Sequence, residues 1–274
     1  MTTLQQETPT VVYITSLGHS GSTLLDMLIS AHSQATTVGE AKNLRPGRFD
    51  EATCSCAARW IRRCPFWERL GGVLETDHDL RLDRLDLMSD DRSVFERDNL
   101  ALFQAVAGVA GRRVVVDSSK NPGRLRRLME IERLRIEPIH LIRRAHGVVH
   151  SNLRKGRPWV GSCRDYVRSV RRTRAALRGV DHARLQYEEL ATDPQRVLTA
   201  LMPRFGLRFE PAQLDDWARR ERHDCGGNRM RRGTSGSIRL DLAWEHELGT
   251  WRKLAISALT LRARAWRATP DRGR

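Results

Sequence analysis

The chain has 274 residues, 40% of them hydrophobic, and a formal net charge of +15. That length holds one large domain or two small ones with a sizeable core; no apolar run reaches the roughly 18 residues of a membrane span, and the polar start MTTLQQETPT has no secretory pattern, so a cytoplasmic location is expected. The charge would suit nucleic acid or an anionic membrane, but Lys42, Lys120, Lys155 and Lys253 are the only lysines. Arginine supplies the rest, scattered along the chain as in many GC-rich genomes, so composition explains most of the charge and no nucleic-acid partner is expected.

Residues 1–10 and 268–274 read as loose tails around one domain over 11–267. A strand over 11–17 leads into a helix over 22–32, with Leu24, Leu25, Leu28 and Ile29 on one side. A short strand over 35–40 ends in Gly-Glu, and an irregular stretch over 41–70 is expected to cross the surface. Helical spacing covers 79–111, broken near Ser89. A strand over 112–120 precedes a helix capped by Asn121 with Pro122 in its first position. Next come a strand over 137–144, helices over 145–155 and 162–178, and a strand and turn over 183–190. Asp193-Pro194 starts another helix. A helix near 210–221, a glycine-rich loop over 223–237 and a helical segment over 241–267 complete the chain.

Strands alternating with helices predict an α/β fold, a parallel sheet flanked by helices. In such sheets ligands sit beyond the carboxyl ends of the strands. The turns GHSGST, VGE, DSSKNP, RRAHG and QYEEL all follow predicted strands, so all five converge on one crevice.

The first of these turns is Gly18-His19-Ser20-Gly21-Ser22-Thr23. Glycines let the backbone wrap an anion, hydroxyls donate to it, and the amides of a helix start point at it. An ATP-binding loop would carry lysine after the second glycine, and this chain has Ser22 there. A P-loop kinase or other nucleotide-dependent phosphotransferase would therefore lack its main positive charge.

The turn resembles the 5′-phosphosulfate loop of sulfotransferases that use 3′-phosphoadenosine 5′-phosphosulfate (PAPS), with His19 where the family has Lys or Arg. The resemblance continues at Arg143 and Ser151, eight residues apart, which match the family's pair for the 3′-phosphate. Gln186-Tyr187-Glu188-Glu189-Leu190 followed by Asp193-Pro194 is similar to the segment whose tyrosine lies near the adenine. The glycine-rich loop stands where the family folds a loop over the nucleotide, making Asn228, Arg229, Arg231 and Arg232 candidate contacts. The resemblance implies a P-loop NTPase-like sulfotransferase fold and PAPS as co-substrate. It implies transfer to a hydroxyl, less readily an amine, of a small molecule, glycan or tyrosine. In tyrosylprotein and some bacterial sulfotransferases a Gly-Glu pair supplies the base and a lysine supports the leaving group; Glu40 and Lys120 match them. An enclosed carboxylate has its pKa raised towards the working range, which suits Glu40 as the base. His32, His140, His146 and His150 read as core or surface histidines.

Cys54-Ser55-Cys56 and Cys64 do not have the C-x2-C spacing of a typical structural zinc site. Free thiols packed beneath Phe66 and Trp67 are expected, with a local disulfide or a zinc knuckle completed by a distant ligand as alternatives; no metal is expected. The C-terminal segment, with Leu254, Leu259, Leu261 and Trp266 beside Arg262, Arg264 and Arg267, is expected to pack on the core behind an arginine-covered face. A peripheral membrane contact is its alternative.

Overall fold

Residues with hydrophobic side chains on successive positions, such as Val11-Val12-Tyr13-Ile14 and Val114-Val115-Val116, make strands that must be covered on both faces. The computed structural model places them so. It describes residues 8–232 and 237–263, with the side chains of Asp50 and Arg229 left out, so both expected tails lie almost wholly outside the described residues. Strands β1 (Thr10–Thr15), β2 (Ala35–Gly39), β3 (Val114–Asp117), β4 (Arg135–Ile142) and β5 (Ala183–Gln186) form one parallel sheet in the order β2-β3-β1-β4-β5.

The helices are α1 (Ser22–Ser30), α2 (Pro65–His78), α3 (Arg92–Ala110), α4 (Pro122–Met129), α5 (Ala145–Leu153), α6 (Trp159–Ala176), α7 (Tyr187–Thr192), α8 (Pro194–Leu201), α9 (Ala212–Asp215), α10 (Ala243–Glu247) and α11 (Thr250–Leu259). Val11, Tyr13 and Val115 face a core shared with α2, α3 and α4. Val12, Ile14, Val114 and Val116 face the opposite core, built with α1, α8 and Phe205. A third apolar cluster joins α5, α6 and α11. The chain crosses between β1 and its neighbours β3 and β4, so the carboxyl ends of all three open at the same edge.

The sequence reading needs correction in four places. The stretch over 41–70 is not a surface excursion: Ile61, Cys64, Phe66, Trp67 and Leu70 are buried, and α2 begins inside it at Pro65. The helical stretch over 79–111, expected to break near Ser89, holds a single α-helix after that break, α3, started by the Asp91 side chain, which accepts from the amides of Ser93 (2.8 Å) and Val94 (3.1 Å). The helix near 210–221 is the single turn α9. The C-terminal segment breaks at Gly249 into α10 and α11. On α11 and just beyond it, Ile256, Thr260 and Ala263 face inward, so Leu254, Leu259 and Leu261 fall on the exposed side rather than the core. Arg264, Trp266 and Arg267 lie outside the described residues. No described helix is long and apolar enough to cross a membrane.

Candidate active site

The turn between β1 and α1 holds two residues in the left-handed region, His19 at φ 70° and Gly21 at φ 88°. Any β-carbon on Gly21 would run into the Tyr187 ring, so glycine is required there for close approach as well as for backbone shape. No side chain caps α1. Its first amides therefore keep their hydrogen-bonding capacity for an anion. A cleft of about 490 Å³ opens above them, within the size range of small-molecule sites. Gly18, His19, Gly21, Ser22 and Thr23 border it, whereas Ser20 is buried beneath the turn. All five turns named from the sequence reach this cleft, through Gly18–Thr23, Glu40, Lys120, Arg143 and Tyr187.

Arg143 leaves the end of β4 and is 7% exposed. Its Nη1 donates to the His19 carbonyl (3.0 Å) and its Nη2 to the Asp241 carboxylate (2.8 Å). Its guanidinium lies 4.4 Å from the centre of the Tyr187 ring, a cation–π stack. Gly147 leaves room for that guanidinium, because a β-carbon there would sit 2.6 Å from Nε. Tyr187 is buried, with one face under Arg143 and its edge against Gly21, and the Asp241 amide donates to its hydroxyl (3.2 Å). The sequence reading offered Tyr187 to a base. The structure places one face of the ring under Arg143, as a platform for the guanidinium, and keeps the ring in the lining of the cleft. Ser151, on α5, borders the same cleft.

Glu40 and Lys120 form an ion pair across the ends of β2 and β3. A second lysine, Lys42, reaches the same carboxylate at 3.2 Å and also donates to the Ser119 carbonyl (2.7 Å). Lys120 is held at φ 63°, costly for a side-chain residue and stable only where neighbours enforce it. They do: its amide donates to the Ile14 carbonyl (3.2 Å), and Asn121 next to it caps α4. Asp117 and Arg124, both fully buried, pair at 3.1 Å and lock the turn from below. Breaking such a pair costs about 3–5 kcal/mol. Burial pushes the Glu40 carboxyl up, but the charges and hydrogen bonds of Lys120 and then Lys42 outweigh it and hold the group below its ordinary value. The expected upward shift is thus reversed, and Glu40 stands ionised at neutral pH.

His19 moves the other way in charge. Burial, then Lys155, Arg157, Lys120 and Arg143, lower its pKa to about 4. It is neutral near pH 7, and Lys155 stands 3.5 Å from its Nε2. Lys155 follows Ser151 by four residues, in the turn just past the end of α5, and borders the cleft. None of His32, His140, His146 and His150 borders the cleft.

A wall made of Trp217, Gly227, Asn228, Met230, Ser237, Ile238, Arg239 and Asp241 closes the cleft. Arg231, offered as a phosphate contact, is directed into the fold: it is 6% exposed and donates to the Asp224 carbonyl (3.0 Å) and to Thr53 Oγ1 (2.8 Å). Arg232 reaches the Cys54 carbonyl at 3.4 Å. Arg229 begins the 3-10 turn Arg229–Arg232, and its side chain lies outside the described atoms. Asn228 donates its amide to Thr23 Oγ1 (3.4 Å), joining wall to phosphate turn. Sequence reasoning missed Trp217, Arg239 and Asp241, which follow no strand and carry no motif. A second cavity of about 530 Å³ shares Gly18, His19, Glu40 and Lys120 with the cleft and extends past Lys42, Arg157, Asp165, Arg168 and Arg172.

A parallel α/β sheet, an uncapped helix start in a glycine turn and an arginine at the end of the neighbouring strand β4 thus meet in one cleft. Residues 9–211 match the model of the sulfotransferase family, and the chain belongs to that family, a family of transferases. The sulfotransferase domain from the curacin biosynthetic pathway superposes with a TM-score of 0.55 at 18% identity, over 96% of this chain and 98% of that one. A sulfotransferase from Mycobacterium tuberculosis gives 0.53 at 13% identity, over 93% of this chain and 76% of that one. One from Mycobacterium avium gives 0.50 at 13%, over 98% and 79%. At these identities the likeness concerns the fold. No curated protein gives a significant match to the sequence.

Proposed function

We propose that the protein moves a sulfuryl group from PAPS to a hydroxyl of a small-molecule or glycan acceptor. The observation that carries this reading is the Arg143–Asp241 pair. A buried guanidinium on a tyrosine platform, in the same cleft as the free amides of α1, already holds an anionic oxygen where a phosphate would sit. Arg143 and Ser151 take the 3′-phosphate, with Asp241 giving way to it. The α1 amides, Thr23 and Lys155 take the 5′-phosphosulfate. Leu24, Trp217 and Ile238 offer the base an apolar wall.

The acceptor enters through the second cavity, whose lysines and arginines outnumber its carboxylates, so polar acceptors bearing negative charge are favoured. Its hydroxyl oxygen attacks sulfur in line as the bond from sulfur to the bridging phosphate oxygen breaks. Glu40, already ionised, accepts the hydroxyl proton. Lys120 and the turn amides stabilise the charge gathering on the leaving phosphate. The products are the sulfate ester and 3′-phosphoadenosine 5′-phosphate.

Calorimetric titration with 3′-phosphoadenosine 5′-phosphate, with adenosine 5′-phosphate and with ATP plus magnesium tests the reading. Micromolar binding that needs the 3′-phosphate is expected. A preference for ATP with magnesium would overturn it.

A further inference from the structure

Three sulfurs and one imidazole nitrogen that this chemistry does not use meet behind the cleft wall. Cys54 Sγ lies 3.8 Å and Cys56 Sγ 3.6 Å from Cys64 Sγ, and His223 Nδ1 lies 3.2 Å from the same sulfur. All four atoms fall within 4.8 Å of one another. All three cysteines are free thiols. A tetrahedral zinc ion with bonds of about 2.3 Å to sulfur and 2.0–2.1 Å to nitrogen sets its ligands roughly 3.5–3.8 Å apart, close to this spacing.

The ligand set is gathered from distant parts of the chain and positioned by its surroundings. Cys54 sits in a short β-bridge with Cys225, its amide donating to the Arg59 carbonyl (2.8 Å). Cys64 is the residue on which α2 starts. The His223 ring is stacked on Phe66, 4.9 Å between centres and 4° from parallel, and the Trp67 indole donates to the His223 carbonyl (2.7 Å). These aromatics lock the imidazole so that Nδ1 faces the sulfurs. The C-x-C spacing lacked a fourth partner in the sequence because that partner is 159 residues beyond Cys64, past the family match that ends at residue 211.

We propose that Cys54, Cys56, Cys64 and His223 bind one zinc ion in a closed Cys3His site. Three thiolates and a neutral imidazole fill a tetrahedron and leave no open position, which is a structural site rather than a catalytic one. Binding releases the thiol protons and ties three segments together. The segment after His223 matters to the active site. The Cys225 carbonyl accepts the Glu40 amide (2.7 Å), the Cys225 amide donates to the Val38 carbonyl (3.1 Å), and Gly227 and Asn228 border the cleft. The zinc therefore anchors, from behind, the wall that frames the Glu40 carboxylate.

The test is metal analysis of the full chain purified from zinc-supplemented culture by plasma mass spectrometry, with zinc-edge X-ray absorption on the same sample. The expected result is about one zinc per chain with three sulfurs and one nitrogen in the first shell. His223→Ala and Cys56→Ser lose most of the metal, while Cys163→Ser, outside the cluster, keeps it. A strong chelator lowers the unfolding temperature of the parent chain and leaves that of His223→Ala unchanged. Metal-free parent protein, an oxygen-rich zinc shell, or equal metal in the parent and His223→Ala would each overturn the proposal. If the cysteine variant does not fold, the parent's absorption spectrum and His223→Ala still decide it.

Discussion

Two walls of one cleft are built in different ways. The inner wall is made of strand ends: the turn after β1, Glu40 after β2, Lys120 after β3, Arg143 after β4 and Tyr187 after β5. The outer wall, Trp217 to Asp241, has no strand among its described residues and meets the backbone of β2 only at the isolated bridge of Cys225 with Gly39. It is held by single long-range contacts, such as Ser55 Oγ to the Arg222 carbonyl (2.7 Å) and Arg231 to Thr53 (2.8 Å). A sheet fixes where its strand ends fall, so reactive groups placed there are positioned by the whole core. The outer wall is positioned only by the few groups that touch it. Under the proposed function, the inner wall carries the chemistry and the outer one bounds the cleft.

The inner wall can be broken most severely at Lys120. Lys120→Ala is expected to lower kcat by about 100–1,000-fold, the usual loss when a donor to a developing charge is removed. Affinity for 3′-phosphoadenosine 5′-phosphate should change little. A variant whose loss appears in nucleotide affinity and not in kcat would move Lys120 out of catalysis. Arg143→Ala follows. It removes a buried charged fork and should weaken nucleotide binding on the order of 100-fold. Asp241→Asn sharpens the same point from the outer wall. It removes the carboxylate that competes for Arg143, so binding should tighten by roughly 10-fold, the return of one charge-assisted hydrogen bond. Calorimetry on both variants separates the two roles.

Arg231 tests whether the outer wall is structural. As a phosphate contact it would matter for affinity; as found, it satisfies buried oxygens of Asp224 and Thr53. Arg231→Ala is expected to cost about 2 kcal/mol of stability through the loss of these hydrogen bonds from a buried charge, read from urea unfolding. Unchanged stability with a large affinity loss would return Arg231 to the ligand.

The legible part of the molecule follows the same division. Strand–turn–helix units have a period and a punctuation, as in Val11–Thr15 before GHSGST or Asn121-Pro122 at the head of α4, so their residues could be assigned from spacing alone. Lysine was a second legible signal. In a chain with four lysines among 48 basic residues, Lys42, Lys120 and Lys155 all border the site. Lys155 was missed because its role depends on lying beside His19, which no spacing rule describes. The outer wall was opaque for a related reason. Asp241 and His223 act through partners 98 and 159 residues away, Arg143 and Cys64. The direction of the Glu40 shift was misread because burial was counted without the two lysines that answer it.

The smallest effect concerns His19, the one departure from the family's basic loop residue, and it lies where the two walls meet. Burial and the surrounding cations lower its pKa from the ordinary 6.5 to about 4. The folded protein therefore binds fewer protons than the unfolded chain between those values. Stability must rise with pH across that window and fall as the pH drops from 6.5 through 4. His32 and His140 are shifted the same way, so the parent slope is shared. His19→Gln keeps a neutral donor and removes only this one contribution. Urea midpoints of the two proteins should agree at pH 7 apart from a constant offset. Below pH 6.5 the variant should gain on the parent. Parallel curves would mean that His19 titrates normally, and the positive charge at the turn would then rest on the imidazole as well as on Lys155. A bound phosphate adds negative charge beside the ring and pulls its pKa back up. Nucleotide binding at pH 5.5 should accordingly take up protons in the parent and less so in His19→Gln, measured as the buffer dependence of the binding enthalpy.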